Sequence, residues 1–511
     1  MGGIGKTTFA KYIYNKLSSH FGRRCSFLEN VRESLLTKDG IVQLQKKLLS
    51  DIIGSGFLDK VDDKEKGLQR LGETLCYNKV LVVLDDVDSK ELIKNLTENY
   101  SLCSGSRIII TTRDKAILQA DEFEGKLQPY EMPKMKKNLA LELFCRHAFS
   151  TYCPRDDYWE LSSNIVSLMG GLPLAIEVVG SLLKRKNKAF WEEMLARLRK
   201  VPEKEIQEKL RISYDGLEEY QQQIFLDIAC FFSNENKNDA IYMWADCKLY
   251  PQSGIDVLIN RCLIKILDND KFWIHDQLIQ LGRQLVHQES PSDLRKQSRL
   301  WIAKEALEIV KTKKWLEVNE LLHIIAKFHL QKKDKVEALE IGAPRYSIEI
   351  TNEELEGLQK LRFLKLRNGT FAGDFAKCHS NLRWISWHSP CKDFMAKNLY
   401  LARLLVFKLD TSGFTDNSKA WDLIKMAQKL KVLSLTWCYH ITRIPNLSKC
   451  LELERLTLAH CYKLKKIGSF IGGLQLLIEL KIENCKDLTS LPEKVWALAK
   501  LEHFSLRGCS R

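Results

Sequence analysis

Met1-Gly2-Gly3-Ile4-Gly5-Lys6-Thr7-Thr8 opens the chain and decides how everything after it is read. It is most of a phosphate-binding loop, G-x-x-x-x-G-K-[ST], whose leading glycine would stand one residue before Met1. Such a loop aims successive backbone N–H groups, the start of a helix and one lysine at phosphate oxygens. Gly2, Gly3, Gly5, Lys6 and Thr7 supply most of those parts. The hydrophobic strand that normally carries the loop is not in the sequence, so the expected fold is a parallel sheet lacking its first strand. Helical spacing of Phe9, Ile13 and Leu17 predicts a helix directly after the loop.

Lys79-Val80-Leu81-Val82-Val83-Leu84-Asp85-Asp86-Val87-Asp88 is the next sharp signal. Five apolar residues ending in paired carboxylates describe a strand buried on both faces, with its acids at the sheet edge where ligands bind in such folds. Asp85 is placed to hold Mg²⁺ directly or through water, and Asp86 to orient a hydrolytic water. Without the loop, the same Asp-Asp would read equally well as a helix cap. Ser104-Gly105-Ser106-Arg107-Ile108-Ile109-Ile110-Thr111-Thr112-Arg113 reads as a turn, a third buried strand and an arginine at its carboxyl end. Arg113 can reach a γ-phosphate there; the plainer alternative is a surface ion pair. Helical periodicity over 130–149 and 158–200 is interrupted by Gly170-Gly171-Leu172-Pro173-Leu174-Ala175, where the diglycine ends one helix and Pro173 suits the first turn of the next.

A chain of 511 residues that is 45% hydrophobic, with 11 prolines, is enough for several packed domains. No signal peptide, membrane-length apolar run or lipidation signature is evident, so an intracellular protein without a membrane span is expected. The 15 cysteines form no short paired framework and read as reduced thiols packed as small apolar groups. A formal charge of +14 permits weak attraction to nucleic acid, but the basic residues are spread along the chain, and nucleic acid is not the expected partner. Lys184-Arg185-Lys186-Asn187-Lys188 is either a localisation signal or, more simply, a solvated helix end.

From about residue 336 leucines recur at short fixed offsets. Leu430/Leu433/Leu435/Cys438 returns as Leu453/Leu456/Leu458/Cys461, as Leu477/Leu480/Ile482/Cys485 and as Leu501/Phe504/Leu506/Cys509, with less regular copies from Leu361, Leu382 and Leu404. The period is that of leucine-rich repeats, with cysteine where asparagine or cysteine satisfies the buried turn. Each strand then offers its non-leucine positions to a concave recognition surface.

Taken in order, GGIGKTT at Gly2–Thr8, FLENVRE at Phe27–Glu33, LDDVD at Leu84–Asp88, GSRIIITTRD at Gly105–Asp114, GLPLA at Gly171–Ala175, FLDIACFF at Phe225–Phe232 and IHD at Ile274–Asp276 resemble the plant intracellular immune receptors that join an NB-ARC module to leucine-rich repeats. Asp88 and the LENVR string resemble the branch that usually carries an N-terminal TIR domain. The family's loop normally begins Gly-Met-Gly-Gly, so Met1 reads as an internal methionine, with the TIR domain, the preceding strand and the first glycine lying outside this sequence.

The resemblance implies a multidomain α/β chain: a P-loop NTPase-like domain over 1–125, a helical domain over 126–205, a winged-helix domain over 206–290, a linker over 291–335 and a leucine-rich-repeat solenoid over 336–511. It also implies a switch, closed with ADP and open and self-associating with ATP. Gly3, Gly5, Lys6, Thr7 and Thr8 would hold phosphate, Thr7 and Asp85 would hold Mg²⁺, Arg113 would meet the phosphate end and Pro173 the base or ribose. His275 would latch the winged-helix domain onto the ADP β-phosphate, the usual Met-His-Asp being Ile274-His275-Asp276 here. The partners implied are a pathogen effector or a guarded host protein, and the compartments are cytoplasm and nucleus. The winged-helix segment is expected to spend its face on the nucleotide domain. A slow ATPase with Asp86 as its catalytic residue, orienting the water, and an adaptor or decoy without nucleotide switching, are the competing functions.

Overall fold

Two units, Met1–Asp215 and Gly216–Arg511, divide the computed structural model. Residues 3–34, 40–54, 63–87, 89–97, 102–112, 128–199, 206–311, 333, 335–342, 347–375, 381–390, 395–399 and 401–509 are described.

In the first unit, helix α1 (Lys6–Leu17) precedes a parallel sheet ordered β1 (Cys25–Leu28), β2 (Leu81–Val87), β3 (Arg107–Thr112). β2 lies between the other two and is buried from Leu81 through Asp85. A strand covered on both faces needs a near-continuous apolar run, which Leu81-Val82-Val83-Leu84 provides. Its core partners include Leu28 and Val31 and, from helices Gly40–Ile53 and Lys64–Tyr77, Leu48 and Leu71. The sequence reading contains no β1, because four residues are too few to display a period.

The helical stretch that follows resolves into Lys137–Ala148, Trp159–Leu168, Pro173–Leu183 and Lys188–Arg199. Gly171 has φ +67°, and a Cβ on it would stand 2.8 Å from the Met135 carbonyl oxygen, so only glycine fits the break. Pro173 occupies the first turn of its helix, where a missing N–H leaves no bond unmade. The basic run Lys184 to Lys188 is exposed at the junction with the next helix.

The second unit begins with helices Glu219–Asp227, Lys237–Asp246, Pro251–Asn260 and Asp276–Glu289 around the antiparallel pair β4 (Lys265–Ile266) and β5 (Phe272–Trp273). The first of these helices runs on as a wider turn, Ile228–Phe232. A nine-stranded parallel sheet follows, whose spatial order is β6 (Arg299–Leu300), β7 (Ala338–Gly342), β9 (Phe363–Arg367), β11 (Trp384–His388), β13 (Val406–Asp410), β14 (Val432–Thr436), β15 (Arg455–Ala459), β16 (Glu479–Glu483) and β17 (His503–Arg507). A parallel ribbon of β8 (Ile348–Ile350), β10 (Gly369–Asp374) and β12 (Met395–Lys397) accompanies it. Arg299–Leu300, in the stretch read as a charged linker, pairs with β7.

Register shows how the repeats work. Leu433 pairs with Leu456 and Leu456 with Leu480, while Leu435 pairs with Leu458 and Leu458 with Ile482. All six are fully buried, and the alternate residues Ser434, Thr457 and Lys481 point to the other face. The cysteines fill the turns: Cys461 Sγ donates to the Leu435 carbonyl at 3.5 Å and Cys485 Sγ to that of Leu458 at 3.7 Å. Both are free thiols, as are the other described cysteines.

The repeat sheet also receives the winged-helix face. Asp227, inaccessible to solvent, accepts from Arg299 Nε at 2.8 Å, from Arg362 Nη1 at 2.7 Å and from Trp244 Nε1 at 2.7 Å. Phe232 meets Phe363 and Trp384 edge-on, each at 5.1 Å. Lys408 pairs with Glu235 at 2.7 Å and Asp239 at 2.9 Å beneath the Trp384 ring, while Arg455 reaches Asp239 at 3.1 Å. Tyr242 Oη donates to Glu454 at 2.6 Å. Although burial disfavours its charge, the Lys408 ammonium holds the Glu235 carboxyl down to about 2. Within this unit, therefore, one face of the winged-helix segment lies against the repeats. No local sequence pattern links Glu235 to Lys408, because they are 173 residues apart.

Candidate nucleotide site

The loop survives as a built element. Gly3 has φ +71° and Gly5 φ +94°, a left-handed backbone that side chains strain to adopt. Gly5 is the N-cap of α1 and places no side chain over the helix start. The first N–H groups of a helix have no partner within it, which makes this end an anion receptor. Lys6 and Thr7 are half-buried at that end and Thr8 is exposed. A Cβ on Gly5 would stand 4.0 Å from Pro173 Cγ, so the helix begun by Pro173 flanks the loop.

Beneath it lies a tight constellation of polar groups. Thr7 Oγ1 lies 2.9 and 3.0 Å from the two oxygens of Asp85. From the neighbouring strand, Thr111 Oγ1 donates to Asp85 Oδ1 at 2.6 Å and accepts the Asp86 N–H at 2.9 Å. Asp86 sits at φ +60°, where the register of β2 against β3 slips. Asp85 is buried, and burial pushes its carboxyl up; the bonds from Thr111 and Thr7 oppose this, and the nearby Asp86 and Glu29 carboxylates add to it. A cation here would relieve the penalty on the ionised form.

A magnesium ion wants oxygen donors in octahedral array and keeps several waters, so one hydroxyl and one carboxylate are a sufficient protein share beside a phosphate. Thr7 and Asp85 provide that pair. Among the described residues no cluster of three His, Cys, Asp or Glu side chains could hold a metal.

Gly3, Gly5, Lys6, Thr7, Asp85, Asp86 and Pro173 all belong to the first unit. His275 stands in the second, as N-cap of helix Asp276–Glu289. Its Nδ1 accepts the Gln277 N–H at 3.1 Å, so the neutral ring carries its hydrogen on Nε2. Gly2, Asp88 and Arg113 lie outside the described residues.

Thr111 is the member that sequence reading passed over: it was quoted within a motif but given no part. Replacing it with valine removes both the donor to Asp85 and the acceptor for Asp86, and we expect a loss of about 1–3 kcal/mol in stability, with serine restoring most of it. Urea unfolding of the three proteins checks this; equal midpoints for valine and serine would show that the hydroxyl is not what matters.

Residues 1–153 match the NB-ARC domain, and residues 218–290 match the winged-helix domain of Roq1-like disease resistance proteins. TMV resistance protein N of Nicotiana glutinosa is 29% identical over 521 residues, covering 100% of this chain and 42% of that protein. Disease resistance protein RUN1 of Vitis rotundifolia is 32% identical over 494 residues, covering 93% of this chain and 36% of that protein. Together, the matched domains and relatives support a TIR-type NB-ARC disease resistance protein.

The chain spans less than half the length of these relatives. Among solved structures, a signal-transduction ATPase with a tetratricopeptide repeat sensor from Pyrococcus horikoshii aligns with TM-score 0.38 and 16% identity, covering 65% of this chain and 48% of its own. In this chain the NB-ARC match and the winged-helix match stand in sequence order and are followed by the repeat strands. Among the described residues no helix is long and apolar enough to cross a membrane.

Proposed function

We propose that this chain is the switch and sensor portion of a plant intracellular immune receptor, binding ADP at rest and ATP when active. The observation that carries the reading is the Thr7–Asp85–Thr111 constellation beneath a left-handed glycine at a bare helix N-terminus. In this reading Lys6 and the start of α1 bind phosphate oxygens, with Gly3, Gly5 and Thr8 completing the loop. Thr7 and Asp85 orient Mg²⁺, which would supply positive charge between phosphates. Asp86 positions water for hydrolysis slow enough to serve only as a reset. Pro173 borders the base or ribose, Arg113 meets the phosphate end, and His275 donates from Nε2 to the ADP β-phosphate.

Winged-helix residues on one face of the repeat sheet support a second part of the reading. Recognition of an effector or a guarded host protein would compete with this contact, and its release would free the winged-helix domain for self-association in the cytoplasm or nucleus.

Nucleotide released from the purified, denatured protein tests the switch. ADP is expected in the wild type, and Lys6→Ala should lower its retention at least about tenfold, the scale of losing a charge-assisted bond. Asp276→Val disturbs the first turn that carries His275 and should raise the ATP to ADP ratio by a similar factor. Retention indifferent to Lys6 would refute the site, and an unchanged ratio in the Asp276 variant would refute the latch. Steady-state phosphate release separates this reading from a turnover ATPase, which would sustain many cycles.

A further inference from the structure

In the nine-stranded sheet, each strand from β9 to β17 is followed by a residue of left-handed backbone: Asn368, Ser389, Thr411, Trp437, His460, Asn484 and Gly508, with φ between 48° and 67°. The N–H of each of the first six bonds to the carbonyl of the last strand residue of the next repeat, as in Trp437 to Ala459 at 2.9 Å and His460 to Glu483 at 2.8 Å. Asparagine and glycine tolerate this geometry, whereas a bulky side chain is strained in it. Trp437 and His460 nevertheless stand there on neighbouring repeats, stacked with ring centroids 3.9 Å apart and 4° between the ring planes. They are not needed for the core, which Leu435, Leu458, Cys438 and Cys461 already fill.

Two residues further along, Tyr439 and Tyr462 extend the ledge. Tyr462 stands edge-on to Trp437 at 5.7 Å, and Tyr439 leans over Trp437 at 6.1 Å with 38% of its surface exposed. Carboxylates border these rings: Asp410 and Glu483 both act on the His460 imidazole, yet its burial outweighs them and keeps the ring below its usual range. Asp410 bonds His388 at 3.1 Å, while Glu483 makes no ion pair with any described residue. One cation of the chain itself already uses a ring face here, Lys486 Nζ lying 5.2 Å from the Tyr462 centroid. Contacts from the winged-helix domain fall at the starts of the strands, on Arg362, Arg383, Glu454 and Arg455, and at mid-strand on Lys408.

We propose that this ledge, Trp437, Tyr439, His460 and Tyr462 bordered by Asp410 and Glu483, is a docking surface for an extended, arginine-bearing segment of a protein partner. Electron-rich ring faces attract cations, and a guanidinium both stacks flat on such faces and pairs with a carboxylate. The same carboxylates repel phosphate, which disfavours nucleic acid and anionic lipid. The proposal rests on reading the repeats as the recognition half of the receptor.

Calorimetry on the 511-residue protein with a hexapeptide of alternating arginine and glycine tests it, using a matched peptide with neutral citrulline for arginine. The arginine peptide should bind at least about tenfold more tightly, and Trp437→Leu and Glu483→Gln should each weaken it about threefold or more. Glu483 lies on the surface side of its strand, so its variant reads the ledge even if the tryptophan variant folds poorly. Equal binding of the two peptides, or binding unaffected in the Glu483→Gln protein, would overturn the proposal. Bound nucleotide measured on the same samples reads the switch separately: its absence from the wild type counts against the receptor reading and leaves the peptide result intact.

Discussion

Asp227→Ala lowers the stability of the second unit by about 3–5 kcal/mol, the range found when one member of a buried ion pair is removed. The carboxylate is inaccessible and so is Arg299, while Arg362 is 5% exposed. Deleting the acid leaves two guanidiniums with little water to solvate them. Arg362 retains Glu337 at 3.2 Å, and Arg299 retains only neutral partners, the Gln223 carbonyls and Ser298 Oγ. Urea unfolding followed by tryptophan fluorescence should show the shift, since Trp244 donates to the same carboxylate. A change below about 1 kcal/mol would mean that both arginines find other anions.

The pH dependence has a definite sign. Burial alone would raise the Asp227 carboxyl, but Arg362 and Arg299 prevail and hold it below the usual range. A depressed carboxylate contributes stability above its unfolded value, near 3.9, and loses it as pH falls towards the folded value. The difference between wild type and Asp227→Ala should therefore be full at pH 7 and shrink below about pH 4.

Leu456→Ala should cost about 2–5 kcal/mol, against about 0.5 kcal/mol for Thr457→Ala one residue along the same strand. Leu456 is fully buried between Leu433 and Leu480, its register partners on either side, so truncation opens a cavity that two stacked repeats cannot easily close. Thr457 is half-buried on the opposite face, between Ser434 and Lys481. Thermal melts of the two variants of the 511-residue chain compare them directly. Equal melting temperatures would refute the register, and with it the assignment of every residue on the recognition face.

Features with a short period were legible from the residues alone. The apolar run ending in Asp85-Asp86 becomes β2 because burial on both faces requires such a run. The Leu-x-x-Leu-x-Leu offsets become stacked strands because a strand alternates faces every two residues. Gly5 and Pro173 could be assigned to a loop and a helix start because each has one dominant backbone use. The sequence by itself thus determined the order of modules, the strand faces of the repeats and the phosphate loop.

Tertiary structure decided what depends on distant partners. Thr111 lies 26 residues from Asp85, and its two bonds exist only because β2 and β3 are neighbours. Asp227 meets Arg299 and Arg362 across 72 and 135 residues, and nothing in the composition of any of these segments marks the other two. Trp437 and His460 occupy equivalent positions in successive repeats, yet their stacking follows from a left-handed backbone that turns both rings to the same rim. Local patterns fix which way a side chain points along its own element; which charge or ring it meets is set by how the elements pack, and that information is spread over the whole chain.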